Sequence, residues 1–308
     1  MTDNIATSVV MVEPAAFGYN PETAESNSFQ HHLKHFTNEQ IQDIALLEFR
    51  NMVNVLKENG ITVHTYKDQP ENRTPDSIFP NNWFSTFSDE IILYPMFSPS
   101  RQRERRSDIY DFVSSISKKK VNDLLVALEN EGKILEGTGS LVCDHASKTA
   151  FAAISPRTHR EAIDAFQKVT GYHSVRFKAL GPKGEEIYHT NVMMTMGDSF
   201  CILGADTIAL EDRHRVIGEL KERGKALIYL SNEQVYEHFA GNMLQLANKE
   251  GEKFVVMSSE AYRSLEEDQI EQIKLHENKI IHVPLHVIET IGGGSARCMM
   301  AEFYNPNA

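Results

Sequence analysis

Three residues with complementary chemistry, Glu136, His189 and Cys298, lie far apart in the sequence. A thiolate attacks electrophilic carbon, an imidazole transfers protons near neutral pH, and a carboxylate can orient that imidazole. Together the three groups suit a covalent displacement with proton transfer. This chemistry requires a fold that brings them to one place.

Cys298 has the clearest local signal. It follows three glycines and the run Ser295-Ala296-Arg297, and glycines allow the backbone to approach a ligand closely. The positive charge of Arg297 beside the thiol favours a thiolate. Cys143 and Cys201 lie inside apolar runs, where a cysteine is usually a core residue, so Cys298 is the candidate nucleophile.

Five segments of similar design recur along the chain at a nearly constant interval. From Asn82 to Glu136 is 54 positions, from Glu136 to His189 is 53, from His189 to Gly241 is 52, and from Gly241 to Gly294 is 53. Each segment opens with small or polar residues and continues as two apolar strands joined by a turn. This regularity predicts five structural repeats.

Each hairpin is followed by a helical pattern and a short strand. Helices are predicted over residues 38–59, 158–170, 213–223 and 265–275, with a longer one over 105–131. The strands that follow read ITVHTY, HSVRF, ALIYL, KIIHVPL and KILEG respectively. The fifth hairpin lacks its return strand at the C-terminus, and SVVMVEP near the N-terminus is predicted to supply that strand and close a ring. The sequence therefore predicts one domain over residues 1–308, an α/β propeller with pseudo-fivefold symmetry.

A closed ring places equivalent positions of its repeats around one axis. The starts of the five hairpins hold Asn82, Glu136, His189, Asn242 and Cys298. We therefore expect the thiol, the imidazole and the carboxylate to converge at the axis, with the two asparagines beside them.

Composition limits the range of partners. The net charge of -12 makes nucleic acid an unfavourable partner, and no run of about 18 apolar residues predicts a membrane span. The N-terminus lacks the pattern of a signal peptide, and three widely spaced cysteines do not suggest disulfides, so we expect a cytoplasmic protein. We expect a small-molecule substrate and no metal or organic cofactor, while a homo-oligomer stays open.

Five motifs carry a family resemblance over essentially the whole chain. They read PDSIFPNNW, SPSRQRERR, LEGTGSLV, YHTNVMM and GGGSARCMM. The chain resembles the pentein-fold guanidine-modifying superfamily, which contains arginine deiminases, dimethylarginine dimethylaminohydrolases and amidinotransferases. It looks most like the citrulline-utilisation hydrolases (CtlX-type). The resemblance implies a five-bladed α/β propeller with its site at the axis.

The resemblance also implies roles. Cys298 matches the nucleophile, His189 the general acid and base, and Glu136 the carboxylate that holds the planar nitrogen head of the substrate. Asp76 matches an aspartate that faces the substrate. Arg101 matches a clamp for the substrate carboxylate, for which an alternative is Arg105.

Two departures from the arginine-processing pattern concern substrate charge. The chain has Asn81-Asn82 where those relatives carry an acidic pair or an Arg-Asp pair, and Asn191 where deiminases carry an aspartate. An amide suits a neutral ureido group better than a guanidinium cation. We therefore expect hydrolysis of citrulline to ornithine.

Four alternatives remain open at this stage. Three are enzymatic: an arginine deiminase, a hydrolase like the dimethylargininases, and an amidinotransferase, in which an amine resolves the covalent intermediate. The fourth is a protein of this fold that only binds a partner, which would not need Cys298, His189 and Glu136 at the axis.

Overall fold

A computed structural model describes residues 5–24, 26–87 and 89–304. The strands in these residues are β1 (Ser8–Glu13), β2 (Thr62–Lys67), β3 (Phe84–Thr86), β4 (Glu90–Leu93), β5 (Lys120–Asn122), β6 (Val142–Asp144), β7 (Thr149–Ala153), β8 (His173–Phe177), β9 (Met194–Met196), β10 (Phe200–Leu203), β11 (Ala226–Tyr229), β12 (Leu244–Ala247), β13 (Lys253–Ser258), β14 (Asn278–Val283) and β15 (Ala301–Phe303).

The helices are α1 (Pro21–Ala24), α2 (Asn38–Glu58), α3 (Pro99–Gln102), α4 (Ser107–Ser117), α5 (Gly137–Ser140), α6 (Arg160–Thr170), α7 (Leu210–Glu222), α8 (Asn232–Tyr236), α9 (Ser259–Ser264) and α10 (Glu267–Leu275). Short 3₁₀ turns occur at Pro70–Asn72, Pro80–Asn82, Val126–Glu131, Thr190–Val192, Ala205–Thr207 and Ala296–Met299, and a π turn at Ile288–Gly292.

The described strands form five three-stranded sheets of one plan. In each sheet an antiparallel hairpin is followed by a third strand parallel to its second strand. A parallel partner requires a crossover connection, and helices α2, α4, α6, α7 and α10 lie in these crossovers. The arrangement confirms the α/β propeller of five repeats.

Ring closure also follows the prediction. The central strand of the first sheet is β1, which pairs antiparallel with β15, where Ser8 lies opposite Phe303, and parallel with β2. The Ser8 hydroxyl donates a hydrogen bond to the Phe303 carbonyl at 3.0 Å. The first and last strands of the described chain therefore complete one blade together.

Deletion of residues 1–14 should unfold the protein, because it removes a central strand. The four side chains 9–12 are fully buried, and burial of each contributes about 1.5–3 kcal/mol. Their sum is comparable with the whole stability of a domain, about 5–15 kcal/mol. Circular dichroism of the truncated chain should show no cooperative melting.

A matched pair of point variants tests the same closure. Val10→Asp, in the centre of the sheet, should also unfold the protein, whereas Val121→Asp on the exposed edge strand β5 should change the melting temperature little. A soluble truncated protein with an unchanged melting temperature would show that the ring does not depend on β1.

One predicted helix is wrong. The pattern over residues 105–131 suggested a continuous helix before KILEG, but α4 ends at Ser117 because Lys118 adopts a left-handed conformation (φ 60°). The next three residues form β5, which pairs with β4 and is the third strand of that blade. Residues 126–131 then form a 3₁₀ turn. The third strand of this blade is therefore β5, and not the segment KILEG, which lies later in the chain.

The crossover helices pack against the edges and faces of the blades. Thr37 begins α2 with a capping box to Gln40, and the buried side chains of Phe49 and Leu56 belong to the core cluster that includes β2 and β14 residues Val63 and Ile281. Of the helices described, none combines the length and apolar character needed to cross a membrane.

Candidate active site

Short helical turns at the starts of the hairpins pack against one another. The turn Pro80–Asn82 contacts both α5 and the turn Ala296–Met299, and α5 contacts the turn Thr190–Val192. Asn82, Cys298 and His189, which directly precedes the turn Thr190–Val192, border a cavity of about 270 Å³, a volume that includes its open mouth. Six of the polar residues that line it are Asp76, Asn82, Arg101, Arg157, His189 and Cys298. The fold thus brings the thiol and the imidazole to one cavity.

Glu136 and His189 form a buried pair. His189 Nε2 lies 2.8 Å from Glu136 Oε2, and the Phe97 backbone N–H donates to Glu136 Oε1 at 3.0 Å. Because an ionised carboxylate can only accept, Nε2 carries the proton and Nδ1 is left with a free lone pair. Glu136 is not among the described residues that line the cavity, so its carboxylate acts on the substrate space through His189.

The charges around the pair define its protonation. Burial alone would raise the pKa of Glu136, but the charge of Arg157 and the hydrogen bond with His189 outweigh burial and lower that pKa to about 2. Burial lowers the pKa of His189 to about 4, and Glu136 offsets this only in part. At neutral pH the pair therefore consists of a carboxylate and a neutral imidazole that can accept a proton at Nδ1.

Gly139 makes room for this arrangement. A Cβ atom at this position would lie 2.7 Å from His189 Nδ1 and 2.5 Å from Asn82 Nδ2, closer than side-chain contacts allow. Gly137, with φ of 47°, would place a Cβ 2.3 Å from the Asn81 carbonyl oxygen. Gly139 therefore lets the backbone pass directly beside the imidazole, and Gly137 lets it pass beside the Asn81 carbonyl.

Two amides hold the sulfur of Cys298. Asn191 Nδ2 lies 3.5 Å and Asn242 Nδ2 lies 3.4 Å from Sγ. Asn242 also accepts the Arg297 backbone N–H at 3.1 Å through Oδ1. The thiol also lies 3.6 Å from Asn242 Oδ1, which can accept its proton, so both ends of this amide contact the sulfur. Asn242, which the repeat placed among the converging residues, thus lies beside the thiol together with Asn191.

Asn82 is oriented by Arg101. The guanidinium Nη1 donates to Asn82 Oδ1 at 2.7 Å, and because arginine has no acceptor, this oxygen must face it. The opposite end of the amide, Nδ2, donates to Asn81 Oδ1 at 3.1 Å. Asn82 therefore presents N–H, and not oxygen, on the side of Gly139 and His189. Asn81 itself does not line the cavity in the described structure.

The guanidinium of Arg101 is largely occupied. Glu104 accepts from its Nε at 2.9 Å and from its Nη2 at 2.8 Å, and both side chains are buried. Arg101 lines the cavity, so contact with a substrate carboxylate stays a proposal. The alternative, Arg105, binds Glu129 at 2.5 and 2.8 Å and does not line the cavity. The structure therefore argues against Arg105.

Asp76 offers an acceptor to the cavity. Its Oδ2 accepts from Asn20 Nδ2 at 2.6 Å, whereas Oδ1 is buried and has no hydrogen-bond partner among the described residues. Burial raises the pKa of Asp76, although the charge of Arg101 opposes this. A buried acceptor of this kind requires a donor, either an N–H group of a ligand or a water molecule.

Arg157 is a cavity residue that the sequence did not reveal. It lies over the Tyr188 ring, 5.0 Å from its centre, and Nη1 lies 3.6 Å from Glu136. Its Nη2 donates to the Thr23 carbonyl and the Ser26 hydroxyl. Arg157 does not fall on a repeat start, and no motif marked it. The only signal was its place just after the second hairpin, where the chain returns to the axis.

The expectation for Arg297 is wrong. Its guanidinium donates to Glu302 at 2.6 Å and to the Met300 carbonyl at 2.8 Å, and it lines a separate cavity with Cys143 and Thr195. Residues 297 and 298 are neighbours in a 3₁₀ turn, where successive side chains diverge by about a third of a turn. The charge of Arg297 is therefore directed away from the cavity that Cys298 lines.

The donor set does not suggest a metal. Among the residues that the structure describes, no cluster of three or more histidine, cysteine or acidic side chains could hold an ion. The groups around the cavity are instead a thiol, an imidazole, amides, two arginines and Asp76. Such groups can perform a covalent displacement at a planar carbon without further components.

Comparison with protein families gives one match to most of the chain. The family described as N,N dimethylarginine dimethylhydrolase, eukaryotic, matches residues 13–305. Among curated proteins, none matches.

Several solved structures share the fold at low sequence identity. The N-terminal domain of ArgZ, a cyanobacterial arginine dihydrolase bound there to its substrate, has a TM-score of 0.75 and 15% identity, with 98% of this chain and 99% of that chain covered. A mutant of AgrE with L-arginine has a TM-score of 0.74 and 14% identity, and covers 97% of this chain and 40% of that one. A dimethylargininase (DDAH) mutant from Pseudomonas aeruginosa, complexed with citrulline, has a TM-score of 0.68 and 16% identity, at 97% and 100% coverage.

Proposed function

We propose that the protein hydrolyses citrulline to ornithine. The premise is that the chain belongs to the N,N dimethylarginine dimethylhydrolase family and is a hydrolase of non-peptide C–N bonds in the pentein-fold superfamily. Cys298 is the nucleophile, His189 the general acid and base, and Glu136 the carboxylate that orients His189. This proposal places the chain in the citrulline-utilisation branch.

One observation carries the choice of substrate: the side chains bonded to the sulfur in the described structure are two uncharged amides, and both present an N–H group to it. Asn191 and Asn242 both direct Nδ2 towards Sγ. A ureido group has a carbonyl oxygen that accepts such bonds, whereas a guanidinium is only a donor and carries a positive charge. Uncharged amides in place of carboxylates beside the sulfur therefore favour the neutral ureido group of citrulline over the cation of arginine.

The reaction proceeds in two steps. Cys298 Sγ bonds to the ureido carbon and the bond from that carbon to the δ-nitrogen breaks, while His189 transfers the thiol proton to the leaving amine. Ornithine departs and an S-carbamoyl group stays on Cys298. Water, deprotonated by His189 Nδ1, then adds to the carbamoyl carbon as the C–S bond breaks. The carbamate formed decomposes to ammonia and carbon dioxide.

The other cavity residues bind the amino-acid end. Arg157 and Arg101 are the cations on the cavity, and they suit the α-carboxylate. Asp76 Oδ1 is a buried acceptor without a partner in the described structure, as is Asn191 Oδ1, and it suits an N–H of the substrate. We also propose that residues 1–308 form one domain and that the protein acts in the cytoplasm, where its thiol stays reduced.

Asp76 also favours a second candidate, hydrolysis of arginine or a methylated arginine. A guanidinium needs nearby carboxylates, because a buried unpaired cation costs several kcal/mol. Asp76 could supply one charge, whereas Glu136 is already bonded to His189 and the Phe97 backbone N–H. The similar protein ArgZ is described as an arginine dihydrolase.

Citrulline should be the preferred substrate when citrulline, arginine, methylarginines and agmatine are compared by kcat/KM. The expected preference over arginine is roughly 100-fold, which corresponds to about 3 kcal/mol of differential binding in the transition state. Ornithine, citrulline and ammonia are measured as products. A higher kcat/KM for arginine would overturn the assignment in favour of guanidine hydrolysis.

Two substitutions separate charge from shape. Asn191→Asp places a carboxylate beside Sγ and should shift the preference towards arginine. Asn82→Asp is the matched control, because Arg101 lies 2.7 Å from the side-chain oxygen and would neutralise the new charge. The shift with Asn82→Asp should therefore be much smaller.

A further inference from the structure

The segment before Cys298 contains a buried internal brace. The Ser295 hydroxyl donates to Glu289 Oε1 at 2.6 Å, and both side chains are buried. Glu289 belongs to the π turn Ile288–Gly292, and Ser295 precedes the turn that carries Cys298. The bond therefore closes a loop around the three glycines that line the cavity.

Backbone bonds connect this brace to the nucleophile. The Gly293 N–H donates to the Glu289 carbonyl at 2.9 Å, and the Cys298 N–H donates to the Ser295 carbonyl at 3.0 Å. A displacement of Ser295 would therefore move the backbone of Cys298 directly.

The glycine loop requires such a constraint. Glycine loses more conformational freedom on ordering than other residues, and Gly293 adopts a left-handed conformation with φ of 62°. On the side facing the rest of the ring, the Gly293 carbonyl accepts from the Tyr188 hydroxyl at 2.6 Å and from Asn27 at 3.3 Å. On the other side, Glu289 is the side chain that links the loop to Ser295.

We propose that Glu289 is a positioning residue for catalysis: its carboxyl group holds Ser295, and through it the turn that places Sγ of Cys298 in the cavity. The inference rests on the proposed function only in taking Cys298 as the nucleophile. It does not depend on which ureido or guanidino compound is the substrate.

The brace works in either ionisation state. Burial raises the pKa of Glu289 to about 7, against hydrogen bonds from Ser295 and Ser258, and the charges of Glu260 and Glu48 act in the same direction as burial. Both the acid and the carboxylate keep an oxygen that accepts from Ser295. A glutamine at this position retains that oxygen, so Glu289→Gln is a conservative replacement.

The test compares Glu289→Ala, Glu289→Gln and Ser295→Ala in a background that lacks Cys143 and Cys201. Two quantities are measured: kcat and KM with citrulline, and the rate at which iodoacetamide alkylates Cys298. Misplacement of a reacting group by about 1 Å costs on the order of 100-fold. We expect a loss of that order in kcat for both alanine variants, a smaller change in KM and slower alkylation. Glu289→Gln should restore most of both rates, and the double alanine variant should be no worse than either single one.

Glu48→Gln is the matched control. Glu48 accepts the backbone N–H groups of Val287 and Ile288, each at 3.0 Å, so it supports the same π turn without contacting Ser295. This variant should lower the melting temperature but leave the alkylation rate of Cys298 unchanged.

Three outcomes decide the matter. A folded Ser295→Ala or Glu289→Ala protein with wild-type kcat and wild-type alkylation overturns the brace, and if Glu289→Ala does not fold, Ser295→Ala decides alone. Equal losses in Glu48→Gln would show that only general stability is involved, which also overturns it. Turnover by Cys298→Ala would instead reject the proposed function, and slow alkylation in Ser295→Ala would still support the brace.

Discussion

Replacing Cys298 by alanine is expected to reduce citrulline turnover by roughly 10⁴-fold or more, the scale of loss when a covalent nucleophile is removed. Without Sγ no S-carbamoyl intermediate can form, and water would have to attack the ureido carbon directly. The remaining groups are placed to assist the sulfur and not such an attack. Ornithine release measures the effect, and a mass increase matching a carbamoyl group on acid-quenched wild-type protein detects the intermediate. Binding of citrulline should persist, because Arg101, Arg157 and Asp76 remain.

Cysteine controls distinguish this loss from a change in folding. Cys201 lies in the buried strand β10, and Cys143 lines the separate cavity on the Arg297 side. Cys201→Ala and Cys143→Ala should retain kcat, with small changes in melting temperature. A Cys298→Ala protein that turns over citrulline at a near-normal rate would reject the covalent mechanism.

The second large effect is expected for Glu136→Gln. The Glu136 carboxylate accepts from Nε2 of His189 and so leaves Nδ1 as the base. A glutamine amide can donate to Nε2, which would move the imidazole proton to Nδ1 and remove the base from the substrate side. A comparable change of tautomer in serine proteases lowers kcat about 10⁴-fold, and we expect a loss of about 10³-fold or more in kcat. Steady-state kinetics would measure it, with Glu129→Gln, outside the cavity, as the control.

The pH dependence of the wild-type protein gives an independent check on this pair. Proton transfer needs neutral His189, whose pKa burial lowers to about 4, and ionised Glu136, whose pKa is about 2. The part of kcat/KM that depends on His189 and Glu136 should therefore be retained above about pH 5. It should fall as the pH decreases through 4. An acid limb at 6.5, the ordinary pKa of histidine, would show that burial does not keep the imidazole neutral.

The features that could be predicted from the sequence are those that follow from the repeat. The interval between repeat starts located Glu136, His189, Asn242 and Cys298 beside one axis, because equivalent positions in a closed ring must converge. The same pattern predicted that β1 would complete the last hairpin.

The features that could not be predicted from the sequence are those that the repeat does not determine. Arg157 reaches the cavity from an irregular segment and Thr23 from the four-residue helix α1, and a hydrogen bond joins these two distant positions. The side chain of Arg297 could not be placed without knowing that residues 296–299 form a 3₁₀ turn. The end of α4 at Lys118 was missed because a left-handed backbone conformation at lysine has no strong sequence signal.

The shared first blade has a consequence for the order of assembly. Ser8 and Phe303 are paired across 295 residues of chain, so β1 leaves the ribosome long before its antiparallel partner is synthesised. Until then one edge of the nascent blade has no partner, and such an edge can pair with other chains. The turn with Cys298 immediately precedes β15, so the thiol and the final strand are placed together. Since the two ends of the ring are adjacent, a circular permutant that joins them and opens a surface turn elsewhere would remove this delay without altering the blades.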